Sequence, residues 1–379
     1  MNILRKKKIA FFLPSLAGGG AEKVFINLAI YFAKKNYEVC LVTICDDKDY
    51  DIDFKMYNIN YFSLNKKKIS FSFFKLFNFL LRNKFDVIFS TIMHLNIFIF
   101  FVNKLFFKNK IVLRESNNFK LNLKDKNYFA KKIYNYLINI SYKNSILISP
   151  SKKLRIDLIE YYNLNPKNVF VINNPVSINF NKGLKVPDFD QFLKYIGIKK
   201  NKNIKFILNL GSLTKQKNQI QIIKSFLYLK DFKDLKLLIV GKGPLKKKLN
   251  EFILQNNLNE TVYLIDFNIQ IEPFLKYASL YVCSSLWEGF PNSLIDAGFY
   301  NLPIISNNCD YGPSEILENG LYGFLSETNN PKKMAEIIKL GISQKIKIIP
   351  PEIIQNKYNI NRIGKQYEDL FTRWSEATG

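Results

Sequence analysis

Apolar and polar residues alternate along the first half of the chain in a way that predicts short buried strands separated by amphipathic helices. Between the first two strands, residues 21–35 place apolar side chains near positions i, i+3, i+4 and i+7, as a helix with one buried face does. This rhythm is typical of a parallel doubly wound sheet covered by helices. The predicted strands are residues 9–13, 38–45, 85–90, 111–114, 145–150 and 169–173.

The rhythm loosens over residues 177–205, which contain Pro, Asn and Lys, and then begins again. A last amphipathic segment covers residues 361–374. Two such halves, joined by a linker near residue 180, predict an α/β protein with two Rossmann-like domains that face each other across a cleft. In the second half, strands are predicted at residues 205–210, 235–240, 262–265, 280–283 and 303–306, and helices at residues 218–229, 245–256 and 293–300.

The same pattern predicts the domain boundaries. We expect residues 1–180 to form the first domain, residues 181–356 the second, and residues 357–379 a helix that returns to the first. A chain of 379 residues has room for two domains of ordinary size, and a hydrophobic content of 47% is typical of globular proteins.

Charge is distributed unevenly along the chain. The net charge is +25, from 56 Lys and Arg against 31 Asp and Glu. Residues 1–200 carry 34 basic and 14 acidic side chains, a net +20, which leaves 22 and 17, a net +5, for residues 201–379. A positive field attracts phosphate in nucleic acid, in anionic lipid or in a diphosphate-linked substrate, although a basic surface can also serve solubility alone.

Two segments of the basic half combine phenylalanines with lysines: residues 66–84 (KKKISFSFFKLFNFLLRNK) and residues 97–110 (IFIFFVNKLFFKNK). Each is either a helix that lies in a bilayer interface or an ordinary core helix with solvated lysines. The longest apolar stretch, residues 87–102, is shorter than the ~20 residues that a spanning helix needs. We therefore expect a cytoplasmic protein that touches the inner face of the membrane without crossing it.

Cysteine and histidine are scarce. The four cysteines form no CxxC pair, and His94 is the single histidine. This argues against a disulfide framework and against a zinc site built from Cys and His. We predict reduced thiols and no metal.

Two loops that follow predicted strands could contact an anion. The first contains Gly19 and Gly20 before a helix, where free backbone N–H groups can approach a ligand. A tight turn explains the same glycines. The second, residues 211–218, carries Lys215 and Lys217, which either neutralise a diphosphate or are solvated loop lysines.

A third loop, residues 284–297 (SSLWEGFPNSLIDA), combines more of the features of a ligand site. A strand ends, a Glu-Gly-Phe-Pro turn follows, and a helix begins near Asn292, so that free N–H groups at the positive end of the helix dipole can face a phosphate. Asp296 lies four residues into that helix and can reach a pair of hydroxyls. Glu288 precedes the turn and can accept hydrogen bonds from a sugar.

In this order, the motifs GGGAEKV, GSLTKQKN, IVGKGPL, SSLWEGFPNSLIDA and GPSEIL resemble glycosyltransferase family four, a retaining family with the GT-B fold. The resemblance spans nearly the whole chain. It implies a nucleotide-sugar donor in the second domain, an acceptor at the first, and no essential metal or other cofactor. Gly19 and Gly20 of the first loop are further candidates for donor contact. Within the family, the chain looks most like bacterial enzymes that extend lipid-linked oligosaccharides and surface polysaccharides.

The resemblance also assigns donor-binding roles to residues of the third loop. Glu288 matches the first acid of the family's E-x7-E motif, which contacts the donor sugar. Asp296 takes the place of the second acid, which binds ribose; its side chain is one methylene shorter than the usual Glu. The turn and helix start that bind sugar and diphosphate correspond to Gly289, Phe290, Pro291, Asn292, Ser293 and Leu294.

In the second loop, Lys217 matches the family's diphosphate-binding lysine and is, with Glu288, a candidate catalytic residue, while Gly211 is a candidate for donor contact. The arginine that usually accompanies it is replaced by Ser212. We hypothesise that Lys215 compensates for this replacement; an unchanged donor affinity in Lys215→Ala would contradict it.

Three residues of the first half match positions near the acceptor in the family. His94 follows a predicted strand and is either catalytic or a packed core residue. Arg114 and Glu115 end the next strand and are candidates for acceptor contact.

These observations predict a retaining glycosyltransferase that moves a hexose or N-acetylhexosamine, with UDP as the expected nucleotide, onto a polyprenyl-diphosphate-linked glycan at an anionic membrane surface, giving an α-linkage. A nucleotide-sugar epimerase of the same fold is an alternative, although it usually carries its own acid–base residues. A nucleic-acid-binding protein would explain the charge and leave the third loop unexplained.

Overall fold

The computed structural model describes residues 6–49, 52–66, 69–123, 126–176, 186–200, 203–267, 270–327, 329–343 and 346–376. The predicted linker near residue 180 and the lysines at positions 67 and 68 lie outside the described residues. The chain forms two compact units: unit 1 comprises Met1–Ile178 and Tyr358–Gly379, and unit 2 comprises Asn179–Lys357.

Unit 1 is built on a seven-stranded parallel sheet with the order β3-β2-β1-β4-β5-β6-β7. The chain reverses its direction of winding between β1 and β4, where the loops after these two strands diverge to opposite sides of the sheet. The strands are β1 (Lys8–Leu13), β2 (Glu38–Thr43), β3 (Ile59–Ser63), β4 (Val87–Thr91), β5 (Lys110–Arg114), β6 (Ile146–Ser149) and β7 (Val169–Val171).

Helices cover this sheet, and phenylalanines fill the core between them. The ring of Phe11 on β1 lies 5.3 Å from that of Phe25 and 5.0 Å from that of Phe89. Three short 3-10 turns, Phe54–Tyr57, Ile69–Ser72 and Pro166–Asn168, connect elements. The helices are α1 (Gly20–Lys34), α2 (Phe73–Arg82), α3 (Met93–Phe106), α4 (Phe119–Asn122), α5 (Tyr128–Lys143) and α6 (Lys152–Tyr162).

Unit 2 contains a six-stranded parallel sheet with the order β10-β9-β8-β11-β12-β13. Its winding reverses between β8 and β11, which are parallel neighbours, and the loops that leave these two strands begin at the same edge of the sheet. The strands are β8 (Lys205–Leu210), β9 (Leu235–Val240), β10 (Val262–Ile265), β11 (Ala278–Cys283), β12 (Ile304–Asn307) and β13 (Phe324–Ser326). The helices are α7 (Phe189–Ile196), α8 (Gln219–Ser225), α9 (Lys246–Gln255), α10 (Glu272–Tyr277), α11 (Asn292–Phe299), α12 (Pro313–Ile316), α13 (Pro331–Ile342) and α14 (Pro351–Tyr358), with 3-10 turns at Phe226–Tyr228 and Glu318–Gly320.

The last helix, α15 (Ile360–Glu376), packs against α1 of unit 1. Gly364 permits this approach, because a Cβ atom there would lie 2.4 Å from the ring of Tyr31. The Tyr37 hydroxyl donates a hydrogen bond of 2.8 Å to Glu368.

The predicted α/β class with two parallel, helix-covered sheets is confirmed. The edge strands β3 and β13 were not predicted, because short, partly exposed strands lack a continuous apolar run. The interfacial interpretation of residues 97–110 stays a prediction. In α3, Ile97, Ile99, Phe100 and Val102 are buried as in a core helix, whereas Leu105 and Phe106 near its end are 69% and 49% exposed. None of the helices in the described residues combines the length and apolarity of a membrane span.

Candidate functional site

The candidate site of unit 2 is formed by the two loops that leave β8 and β11. Hydrogen bonds join the loops directly: the Leu286 N–H donates to the Gln216 carbonyl at 2.8 Å, and the Gln216 side-chain amide donates to the Trp287 carbonyl at 2.9 Å. Adjacent strands thus bring together two segments that sequence analysis could only treat separately.

An ion pair lies between these loops. The Lys217 Nζ is 2.6 Å from Glu288 Oε1, and the Ser285 hydroxyl donates to the same oxygen at 2.6 Å. Glu288 is 4% exposed. Burial is the largest single effect and lowers the pKa of Lys217, but the charge and hydrogen bond of Glu288, together with the nearby Cys283 and Cys309, raise it, and the net pKa lies above its ordinary value. Lys217 is therefore a cation at neutral pH, and its charge faces the residue that was predicted to contact the donor sugar.

Buried amides support the backbone of both loops. The Asn307 side-chain amide donates to the Ser284 carbonyl at 2.7 Å and to Gln221 Oε1 at 2.9 Å. The Asn218 amide donates to the same Gln221 oxygen at 2.9 Å, and the Ser284 hydroxyl donates to the Lys217 carbonyl at 2.7 Å. None of the residues in this network stands out in the sequence by type or spacing, so the network was not predicted.

Two glycines from the other family-like motifs explain how the loops pack. A Cβ atom at Gly241, in the IVGKGPL motif, would lie 1.9 Å from the Gly211 carbonyl oxygen. Gly312, in the GPSEIL motif, has a φ of +100°, and a Cβ there would lie 2.5 Å from Pro291. These glycines let neighbouring backbone segments approach the second and third loops closely. Their role is to support the predicted binding loops.

The remaining predicted donor residues differ in exposure. Asn292 and Ser293, at the start of α11, are half-buried, whereas the side chains of Phe290, Leu294 and Asp296 are buried. The Leu294 N–H donates to the Pro291 carbonyl at 3.1 Å, within the turn that begins α11. Gly289 and Pro291 are also buried, and both Ser212 and Lys215 are exposed. Their contacts with a donor stay predictions.

In unit 1, the glycine loop closes on a carboxyl group. Gly19 precedes the first residue of α1, and a Cβ atom on Gly19 would lie 2.0 Å from Glu22 Oε2. Glu22 is 9% exposed, and burial raises its pKa. An anion that reached Gly19 and Gly20 would meet this carboxyl group beside the helix N-terminus, so the predicted donor contact of the two glycines stays a prediction.

His94 lies in the first turn of α3, after an unusual backbone conformation. The preceding Ile92 has a φ of +74°, which is strained for a β-branched residue. The His94 ring packs edge-on against Tyr134 at 5.3 Å, and its buried Nδ1 has no hydrogen-bond partner among the described residues. Burial and then the Lys126 charge lower the pKa of His94, which keeps the imidazole neutral at neutral pH.

Arg114 and Glu115 lie inside unit 1. Arg114 is 1% exposed; its guanidinium donates to Thr91 Oγ1 at 3.3 Å and also to Asn174 Oδ1. Glu115 is fully buried and accepts a 2.6 Å hydrogen bond from the Tyr142 hydroxyl, and burial raises its pKa. Through these buried hydrogen bonds, both residues stabilise the structure at the ends of β4 and β5. Their contact with an acceptor stays a prediction.

No group of three or more His, Cys, Asp or Glu side chains within the described ranges is gathered as metal ligands are.

Comparison with known proteins identifies the family. Residues 18–180 match the family model described as Glycosyltransferase Family 4, and residues 194–359 match the one described as Glycosyl transferases group 1. An uncharacterized glycosyltransferase of Methanocaldococcus jannaschii is 37% identical over 175 residues, which are 40% of this chain and 43% of that relative. The chain thus spans less than half of that relative's length.

Two other proteins are similar over most of their length. The N-acetylgalactosamine-N,N'-diacetylbacillosaminyl-diphospho-undecaprenol 4-alpha-N-acetylgalactosaminyltransferase of Campylobacter jejuni is 28% identical over 341 residues, 88% of this chain and 89% of that enzyme. The crystal structure of Anabaena HepE in complex with UDP and glucose covers 97% of this chain and 100% of that chain, with a TM-score of 0.79 at 17% identity. The latter likeness concerns the fold.

The family resemblance predicted from the motifs is confirmed by these findings. This chain is a glycosyltransferase with the GT-B fold, in which residues 18–180 belong to Glycosyltransferase Family 4 and residues 194–359 to the group 1 glycosyl transferases.

Proposed function

We propose that this enzyme is a retaining glycosyltransferase that moves a hexose or N-acetylhexosamine from a UDP-sugar onto a polyprenyl-diphosphate-linked glycan, forming an α-linkage in bacterial glycan biosynthesis. The observation that carries the proposal is the buried Lys217–Glu288 pair at the edge where β8 and β11 end. The name of the Campylobacter relative, which specifies a diphospho-undecaprenol acceptor, and the UDP and glucose bound by HepE support the choice of substrates.

In this proposal the two members of the pair have different ligands. The Glu288 carboxylate accepts hydrogen bonds from hydroxyls of the donor sugar. Lys217 contacts the donor diphosphate, and its raised pKa keeps it charged over the whole neutral range. The N–H groups at the start of α11 contact the same diphosphate, and the half-buried Asn292 and Ser293 leave them accessible.

The chemistry we propose is a substitution on one face of the sugar. The bond between the anomeric carbon and the diphosphate oxygen breaks, and a bond to the acceptor oxygen forms on the same face. The acceptor proton passes to the departing diphosphate oxygen. Lys217 and the α11 N-terminus stabilise the negative charge that develops on this leaving group. Electrostatic stabilisation of this kind is usually the largest single contribution to lowering the activation barrier.

We further propose that no metal is essential, because Lys217 and α11 supply positive charge at the diphosphate. On the acceptor side, we propose that the neutral His94 contacts the acceptor sugar. Because the acceptor is lipid-linked, the enzyme works at the inner face of the cytoplasmic membrane, where its basic first half faces anionic lipid.

The test is a panel of UDP- and GDP-sugars with a polyprenyl-diphosphate glycan acceptor, with and without EDTA, for the wild type, Glu288→Gln and a matched control. Glu318→Gln is that control, because Glu318 also pairs with a lysine of unit 2, Lys357, but lies in a 3-10 turn outside the two loops. We expect transfer from one UDP-sugar, insensitive to EDTA, reduced at least ~100-fold by Glu288→Gln and unchanged by Glu318→Gln.

Other outcomes point to the alternatives. Conversion of a UDP-sugar to its epimer without transfer would support an epimerase. Absence of turnover with every donor, together with tight salt-sensitive binding of oligonucleotides, would support a nucleic-acid-binding protein.

A further inference from the structure

Unit 1 exposes two separate sets of large apolar side chains. The α2 surface consists of Phe71, Phe74 and Leu81, which are 66%, 77% and 57% exposed. The α5 face consists of Tyr128, Phe129, Ile133 and Tyr136, which are 73%, 76%, 60% and 67% exposed. Only the first set lies in a segment whose sequence pattern suggested a membrane contact.

The α5 face is a continuous stripe on one side of its helix. With 3.6 residues per turn, Phe129, Ile133 and Tyr136 fall within roughly 60° of one another, and Tyr128 lies roughly 80° from Tyr136 around the helix. The opposite side packs into unit 1 through the buried Ile138 and Tyr142. A surface helix normally turns polar residues outward, so an aromatic outer stripe indicates a partner.

The charge of α5 limits what that partner can be. Tyr128–Lys143 contains Lys131, Lys132 and Lys143 and not one Asp or Glu. Lys132 and Lys143 are exposed, and Lys131 is half-buried. Aromatic and aliphatic side chains flanked by lysines are what helices use to lie in the interface of a bilayer with anionic headgroups. An isoleucine in the stripe favours lipid over the stacked bases of a nucleic acid.

The position of α5 connects this face with the candidate acceptor residue. Tyr134, on the same helix, packs against His94 at 5.3 Å, and Lys126, just before the helix, lies 4.5 Å over the Tyr134 ring. The α2 surface is at the other end of α3, because Phe77 packs against Phe106 at 5.0 Å. The 14 residues of α3 separate the two ends by roughly 20 Å.

We propose that the α5 face is the surface with which unit 1 docks onto an anionic lipid bilayer, and that it sets the acceptor diphosphate at headgroup height next to His94. This inference rests on the proposed lipid-linked acceptor. The polyprenyl chain stays in the bilayer, and the glycan next to its diphosphate extends from the headgroup layer towards His94.

The test compares Phe129→Ser/Tyr136→Ser with the matched variant Phe71→Ser/Phe74→Ser, both at exposed positions. Binding of the full-length enzyme is measured by flotation with vesicles of phosphatidylcholine and phosphatidylglycerol. We expect the α5 variant to lose at least ~10-fold in partitioning and the α2 variant less than ~3-fold. Equal thermal unfolding of both variants verifies that the fold is intact.

A second arm measures transfer. For an acceptor embedded in vesicles we expect the α5 variant to raise KM, and for a water-soluble acceptor with a shortened polyprenyl chain we expect wild-type kinetics. If the wild-type enzyme transfers to neither acceptor, the proposed function is contradicted. The flotation result is independent of transfer and still shows whether the α5 face or the α2 surface binds lipid.

Three results would overturn the inference about α5. The first is unchanged vesicle binding of the α5 variant with loss in the α2 variant. The second is a dimeric wild type that the α5 substitutions convert to a monomer, which would identify the face as an interface between copies. The third is binding of oligonucleotides that only the α5 variant loses.

Discussion

Lys217 and Glu288 are 71 positions apart along the chain, yet their charged groups lie 2.6 Å apart. Their geometry depends on buried amides, since Asn307 donates to the Ser284 carbonyl of one loop and to Gln221, which also accepts from the Asn218 side chain of the other loop. At the scale of residues, therefore, buried side chains outside the motifs position those within them. In unit 1 the support comes from within a motif, because Glu22 of GGGAEKV lies against the glycine loop.

Replacing Asn307 by Asp tests this support. The carboxylate keeps the shape of the amide but has no N–H to donate to Ser284 or Gln221, and it is fully buried. We expect a loss of about 2–3 kcal/mol in the free energy of unfolding, a raised KM for the donor and a kcat reduced ~10-fold. Thermal unfolding and steady-state kinetics measure these effects. Asn308→Asp is the control, because Asn308 is exposed; equal losses in both variants would contradict the positioning role.

Glu22 leads to a prediction about pH. Burial raises the pKa of the Glu22 carboxyl group in the folded state. Its contribution to the free energy of unfolding is therefore fully present below the unfolded-state pKa of about 4.3. This contribution is lost as the pH rises through the folded-state pKa. Glu22→Gln removes the buried charge and should raise the melting temperature at neutral pH, with a gain that shrinks in acid. The exposed Glu160→Gln should show no such trend. A gain that grows towards acidic pH would contradict this account.

At the scale of elements, the strand order decides which loops meet. Neighbouring β8 and β11 place the second and third motif loops side by side. Gly241 and Gly312, in the loops after β9 and β12, let their own backbone lie close to these two motif loops. Small residues outside the third loop thus help to set the backbone path of its Glu-Gly-Phe-Pro turn.

Gly312→Ala tests that arrangement. The φ of +100° strains any side chain, and the new Cβ would lie 2.5 Å from Pro291, so the turn must shift. Gly197→Ala is the matched control: its φ is +71°, but a Cβ there meets nothing within 4 Å. We expect Gly197→Ala to lose about 1 kcal/mol in the free energy of unfolding with unchanged kinetics. Gly312→Ala should lose more and weaken UDP binding in calorimetry; normal UDP affinity would contradict the proposed role of the turn.

At the scale of the whole molecule, the chain returns to complete its first unit. Residues 358–379 group with residues 1–178, and α15 packs on α1 over Gly364. The stability of unit 1 therefore depends on the last part of the chain, whereas the loops that carry Lys217 and Glu288 belong to unit 2.

Gly364→Leu should lower the stability of unit 1 without changing the nucleotide site of unit 2. Its side chain would overlap the Tyr31 ring, and such overpacking typically costs about 1–3 kcal/mol. We expect a lower melting temperature with an unchanged dissociation constant for UDP. Asn361→Leu places the same side chain at an exposed position of the same helix and should leave both unchanged. A weakened UDP affinity in Gly364→Leu would show that α15 also supports the nucleotide site.

The sequence by itself determined the alternation of strands and helices, the class of fold and the three motif loops. These are local features: a strand interior is a short apolar run, and the loops follow strand ends. Glu288 and Lys217 were recognisable because residue type and motif spacing do not depend on distant parts of the chain.

Only the tertiary structure decided which side chains face solvent and which distant residues meet. Residues 97–102 and 128–136 are both rich in apolar residues, but the first segment lies between the sheet and α5, whereas Phe129, Ile133 and Tyr136 of the second are exposed. Arg114 and Glu115 were expected near an acceptor and are buried, because Thr91, Asn174 and Tyr142 converge on them. Burial is a property of the assembled neighbours, so no local pattern could reveal it.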